Sequence, residues 1–190
     1  MPAALVQTFR AFAYNNAWAN RRLHQACAEL SQEQFEATRT SFFPSLQTTL
    51  NHVYVADLFY IDALEGGWLG PKVWEDHVPH PSVATLAPEQ AAMDRRLIEV
   101  CNALTPELLD GDALVNRGAR VQRERRDRLL MHLFQHQIHH RGQAHAMLSG
   151  TSVKPPQLDE FFSIAEAPLR AEEFNALGWS EATVWGATAK

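Results

Sequence analysis

Residues Arg123–Ser149, RERRDRLLMHLFQHQIHHRGQAHAMLS, decide how the rest of the chain is read. The stretch has no proline, its leucines and methionines recur at helical spacing, and Gly150 follows it as a stop signal, which predicts one long helix over Arg123–Ser149. On a wheel at about 100° per residue with His132 at the origin, His136 falls near 40° and His140 near 80°. Gln143, Leu129, Met147 and Leu133 share that sector, so His136 and His140 lie on the face that apolar residues mark as inward. His139 and His132 sit at its margin, while His145 and Arg141 lie on the far side, where Arg141 reads as a packing or ion-pair residue. Two imidazoles four residues apart stand on successive turns and can share one cation. A third ligand must come from elsewhere.

Three more long helices are predicted. The first runs over Ala3–Leu30, with Leu5, Phe9, Phe12, Asn16, Asn20, Leu23, Cys27 and Leu30 at three- and four-residue steps. Ser31 and Gln34 then form a capping-box pattern, and FEATRTSFFPS is broken by Pro44. A second helix begins near Ser45 and runs to Leu64, stopping at Glu65-Gly66-Gly67, whose glycines accept the left-handed C-terminal conformation. Residues 68–84, with three prolines and two tryptophans, read as a loop. Pro88 opens a third helix, which Thr105-Pro106 ends, and a polar connection passes through Asp110–Gly118. After the fourth helix VKPPQLDEFF is extended, and residues 166–190 add one or two short helices, with Ser180-Glu181 as a start signal. The expected fold is therefore all-α, a four-helix bundle forming a single domain over 1–190 with 151–190 as a C-terminal extension.

Composition bounds the function. The 190 residues are 46% hydrophobic and 21% charged, an ordinary globular balance. A net charge of −5 disfavours phosphate backbones and anionic lipid, so no nucleic-acid partner is expected. The one basic run, RGARVQRERRDR over Arg117–Arg128, is interrupted by Glu124 and Asp127 and reads as a solvated helix entrance. No apolar stretch approaches the roughly 18 residues of a membrane span, and the N-terminus lacks the pattern of a secretory signal, which together point to the cytoplasm. Cys27 and Cys101 are too few and too far apart for a disulfide framework or a CxxC site, and read as small packing residues.

Nine histidines are the outlier, and five of them fall between His132 and His145. On the second helix His52 shares a face with Thr49, Ala56, Phe59 and Ala63, so it points inward and supplies the missing third ring. Other readings exist for each ring singly: a core His52 bonded to a carbonyl, or His136 and His140 in a polar network closed by Gln143 or Asn20. Neither accounts for three inward imidazoles at once, whereas one divalent cation takes a lone pair from each. Asn16, Asn20, Tyr60 and Gln143 are candidates to line or support the site, with helix cross-linking the alternative for the asparagines. His77 and His80, in the loop, read as solvated.

YNNAWANRRL (Tyr14–Leu23), LNHVYVAD around His52, QHQIHHRGQ (Gln135–Gln143) and the trailing PPQLDEFF resemble the DinB family of the DinB/YfiT-like metalloenzyme superfamily over residues 3–162. The resemblance implies an up-down-down-up four-helix bundle, often dimeric, with a divalent metal held by His52, His136 and His140. The family name comes from a DNA-damage-inducible member and does not make this acidic chain a repair protein. Three neutral imidazoles suit Zn²⁺ or Ni²⁺ and leave a coordination position open. Thiol-dependent isomerases and thiol S-transferases of the wider superfamily add a low-molecular-weight thiol as co-substrate class and favour transfer over hydrolysis. The alternative is a metal-binding bundle without turnover, in stress response or small-ligand binding; the substrate itself is not specified by the sequence.

A homodimer is also expected. The second helix is apolar over more than half its circumference, and Phe161, Phe162, Trp179 and Trp185 add more apolar area than one four-helix core covers. The competing arrangement folds the extension back over its own bundle.

Overall fold

The computed structural model describes residues 2–186, so the last residues of the expected extension, 187–190, lie outside the described part. The long helices are α1 (Pro2–Cys27), α3 (Leu46–Glu65), α4 (Val83–Asn102) and α6 (Arg126–Leu148). The short α2 (Gln32–Glu36) and α5 (Pro106–Asp110) lie between them, and α7 (Ala167–Leu177) and α8 (Glu181–Trp185) form the extension. Helix α1 packs against α4 and α6, and α3 packs against the same two. Helix α1 therefore lies diagonal to α3 and α4 diagonal to α6, while α3 and α4 are neighbours, and this four-helix bundle buries one core around Leu23, Leu50, Ile61, Leu97 and Leu130.

Capping chemistry sets most boundaries. Ser31 caps α2 in the expected box with Gln34, and α1 ends at Cys27 rather than Leu30 to make room for it. Ser45 caps α3 by accepting from the Thr48 N–H, and Gly66 ends α3 at φ 87°, a left-handed conformation that disfavours a side chain. The third long helix begins earlier than Pro88. Ser82 and Thr85 form a capping box there, and Pro88 sits exposed inside α4, where its ring forfeits one backbone hydrogen bond.

The connection read as polar over Asp110–Gly118 is instead a hairpin. Strand β1 (Asp112–Asn116) pairs antiparallel with β2 (Val121–Arg125) in the register Asp112↔Arg125 to Asn116↔Val121. Ala113 and Val115 point into the core, an alternation too short to register beside the arginine run. Gly118 turns the hairpin at φ 75°, its N–H donating to Asn116 Oδ1 at 2.9 Å. Because Arg123–Arg125 belong to β2, α6 starts at Arg126 and not Arg123.

The extension folds back on its own bundle. Phe161, Phe174 and Val184 bury against Ala11, Tyr14, Trp18 and Ala19 of α1 in a second core, with Trp179 and Trp185 packed on it. Arg22 fastens the two parts, reaching Glu160 and Glu173 at 2.7 Å each while its guanidinium lies 3.9 Å over the Trp18 ring. The apolar surface that pointed to a homodimer is thus covered in large part within one chain.

Across the middle of the bundle runs a buried polar network that joins all four long helices. Asp94 Oδ1 accepts from Asn16 at 3.0 Å and from Asn20 at 2.8 Å. Arg141 donates to Asn16 and Asn20, and Asp57 accepts from Gln137 and, at 2.7 Å, from Gln90. The two asparagines of α1 therefore cross-link helices. Arg141 is only 5% exposed and is packed inside this network, hydrogen-bonded to amide oxygens.

Desolvation pushes the Asp57 carboxyl up to about 7, with Asp94 adding repulsion, and pushes Asp94 up to about 6. A folded chain that holds these protons loses stability as pH rises through that range, because the unfolded chain releases them already near 4. Asp57→Asn removes this contribution, and a flip of Gln90, whose Oε1 has no partner, gives the new amide its acceptor. We expect Asp57→Asn to gain stability relative to the wild-type chain as pH rises from 4 to 7.5, measured by urea denaturation of both. A difference that is flat with pH would show that Asp57 titrates normally.

Candidate metal centre

The site is built on two helices. The Ser45 cap starts α3 so that His52 lies two turns in, and the four-residue step on α6 stacks His136 under His140. Packing of α3 on α6 then closes the triangle. The His52 and His136 Nε2 atoms are 2.9 Å apart, and one ligand nitrogen from each of His52, His136 and His140 lies within 4.8 Å of the others. Ring nitrogens about 2.0–2.1 Å from one tetrahedral ion would stand about 3.3 Å apart, so the observed spacings bracket what a shared ion needs.

The electrostatics agree with that donor set. Burial pushes His52 down to about 4 and His136 down to about 3, and the neighbouring imidazoles add mutual repulsion. His140 is lowered by the same desolvation. All three rings are neutral at physiological pH, with lone pairs free for a cation. Gln143 Oε1 lies 2.8 Å from His140 Nδ1, an arrangement that places the proton on Nδ1 and leaves Nε2 as the ligand atom. The His136 Nδ1 atom is buried without a partner.

The sequence-predicted residues separate clearly. His52, His136 and His140 come together, and Gln143 supports them. Tyr60 lies beside His132, at 5.2 Å between ring centroids, and its hydroxyl accepts from Arg117 at 3.3 Å. His80 packs edge-on to Tyr54, with its backbone pinned to Asn51, and does not approach the site. His77 bears on His52 electrostatically.

Two residues escaped the sequence reading. Phe43 stacks 4.3 Å from His52 and 5.5 Å from His140, and Trp74 stands 5.7 Å from His52, so aromatic rings wall the centre. Both sit in segments without helical period, where only nearness to a cap, for Phe43 two residues before Ser45, could have signalled them.

Comparison with known proteins bears on the family and the fold. The model of the DinB family matches residues 4–173. Protein DinB of Bacillus subtilis (strain 168) is 28% identical over 144 residues, covering 74% of this chain and 83% of that protein. The crystal structure of a DinB-like protein from Bacillus cereus ATCC 10987 superposes with a TM-score of 0.59 at 17% identity, covering 77% of this chain and 94% of that one, which supports the shared fold.

Proposed function

The chain belongs to the DinB family, and from that premise we propose that it binds one divalent metal ion, Zn²⁺ or Ni²⁺, at His52, His136 and His140, as a metal-dependent enzyme of thiol S-transferase or hydrolase type. The observation that carries this reading is the convergence of three neutral imidazoles from α3 and α6. When bound, such an ion supplies Lewis acidity, bringing the pKa of a water ligand toward 7 or holding a thiol as its thiolate. His52 and His136 supply unprotonated nitrogens, and Gln143 fixes the tautomer of His140. Phe43 and Trp74 shield the centre on one side and offer an apolar wall to a substrate. Three protein ligands leave a position open for that substrate.

Elemental analysis of the purified chain should give one divalent ion per chain. A screen of electrophiles with low-molecular-weight thiols, run with the metal present and after chelation, then separates the chemistries. Thiol-dependent product lost on chelation supports transfer, and turnover without thiol supports hydrolysis. Stoichiometric metal with no turnover in either arm supports the non-catalytic bundle.

Chelation is expected to leave the helical circular dichroism spectrum intact, since the apolar stripes supply most of the stability. Collapse of the spectrum on chelation would make the ion structural.

Location and assembly complete the reading. Among the described residues no helix is long and apolar enough to cross a membrane, and we place the chain in the cytoplasm without a nucleic-acid partner. With the extension folded back, a homodimer would form through surface that still exposes Phe42, Met131 and Ile138. Light scattering at micromolar concentration should then give about twice the chain mass of 21.4 kDa, and a mass equal to one chain would reject the dimer.

A further inference from the structure

Where α1 meets α4 and the end of α7, a cavity of about 490 Å³ opens to solvent, sharing no lining residue with the histidine centre. That volume falls in the range of roughly 300–1,000 Å³ typical of small-molecule sites. Its polar residues are Arg21, His24, Gln25, Asp94 and Arg95, and Ala17, Ile98 and Trp179 contribute apolar surface.

One buried acceptor among the lining residues is unfilled, and a carboxylate oxygen beside it makes no hydrogen bond within the described residues. His24 is 4% exposed; its ring donates to the Asn20 backbone and its Nε2 has no partner. Burial pushes the ring down to about 4, so it is neutral and Nε2 carries a bare lone pair. Asp94, which also lines the cavity, receives Asn16, Asn20 and, at 3.4 Å, Gln90 on Oδ1 alone, so that Oδ2 has no donor among the described residues. A buried acceptor without a donor is expensive, and its presence beside a cavity calls for a ligand that donates. Two guanidinium groups complement them. Arg21 has a buried Nε without a partner, and Arg95 is exposed.

We propose that this cavity binds a small apolar zwitterion: an ammonium for His24 Nε2 and Asp94 Oδ2, a carboxylate for Arg21 and Arg95, and an aliphatic or aromatic body for Ala17, Ile98 and Trp179. The site is independent of the metal centre and does not rest on the reading given for it.

Isothermal titration calorimetry of the full chain with L-phenylalanine, phenylacetate and phenethylamine tests the proposal. L-Phenylalanine should bind saturably at one per chain, and each half-ligand at least tenfold more weakly. Ala91→Trp places a large ring on the cavity wall at an exposed position that folding tolerates, and should weaken L-phenylalanine at least tenfold. The same variant should keep the wild-type ratio of Zn²⁺ to chain. Absence of saturable binding, equal binding of either half-ligand, or full affinity in Ala91→Trp would overturn the proposal. Joint loss of zinc and L-phenylalanine in that variant would overturn the independence of the two sites.

Discussion

His136→Ala should remove the stoichiometric divalent ion while the helical fold persists. His136 contacts both other rings of the cluster, with Nε2 2.9 Å from that of His52 and its centroid 4.4 Å from that of His140. Without it, two imidazoles on different helices remain, and the other rings near them lie outside the ligand cluster: His132 stands 6.3 Å from His136 on the side of Tyr60, and His139 stands 4.9 Å from His140 with its Nε2 at Gln143. Loss of a group that merely supports a ligand weakens a metal by roughly 10–100-fold, so loss of the ligand itself should exceed about 100-fold. The fold has little reason to respond. His136 is half-buried, and its Nδ1 has no hydrogen bond to lose, so the change in unfolding free energy should stay within about 1 kcal/mol. Metal analysis and urea denaturation of the variant decide the matter. One ion per chain at unchanged affinity would place the ion elsewhere, and a lost helical spectrum would make His136 a structural residue.

Arg141→Met should have the larger effect on stability. The guanidinium is the one cation in a buried network with Asp94 and Asp57, and it donates to the side-chain oxygens of Asn16 and Asn20. Methionine fills comparable volume but removes the positive charge that favours ionisation of Asp57 and Asp94, and it leaves both amide oxygens without that donor. Two buried amide oxygens stranded at about 1–3 kcal/mol each, together with the lost attraction of the guanidinium for the nearby acids, destabilise by about 3–5 kcal/mol. Against a total of about 5–15 kcal/mol, that lowers the melting temperature by about 6–20 °C for a chain of this size. Adding Asp57→Asn to Arg141→Met should restore part of the loss, because one stranded carboxyl is then neutral. The double-mutant cycle by urea denaturation measures that coupling. A loss below about 1 kcal/mol in the single variant would show that the network does not depend on the guanidinium.

The four long helices and both ends of α3 were legible because they depend on near neighbours in the chain, whereas the starts of α4 and α6 were not. The apolar period of α1, the serine caps before α2 and α3, and the left-handed Gly66 all act within a few residues. The pairing of His136 with His140 is local in the same sense, being set by the pitch of one helix. His52 was legible as an inward ring on α3, although its meeting with the other two depends on how α3 packs against α6. The hairpin was not legible, since only Ala113 and Val115 mark its buried side and the arginines of β2 suit a helix entrance equally well.

By itself, then, the sequence determined which residues share a helix face. It did not determine what each face meets. The wheel correctly set Arg141 opposite the histidine pair, yet that far side is no solvated surface, because α6 is flanked by α1 as well as α3 and the guanidinium is closed in by Asn16, Asn20 and the acids of α3 and α4. The aromatic wall of Phe43 and Trp74, the return of Phe161 and Phe174 onto α1, and the unfilled acceptors of His24 and Asp94 are likewise contacts between segments far apart in sequence. Periodicity is carried by each helix alone, whereas burial, desolvation and the convergence of ligands arise only when helices dock, and the tertiary structure decided them.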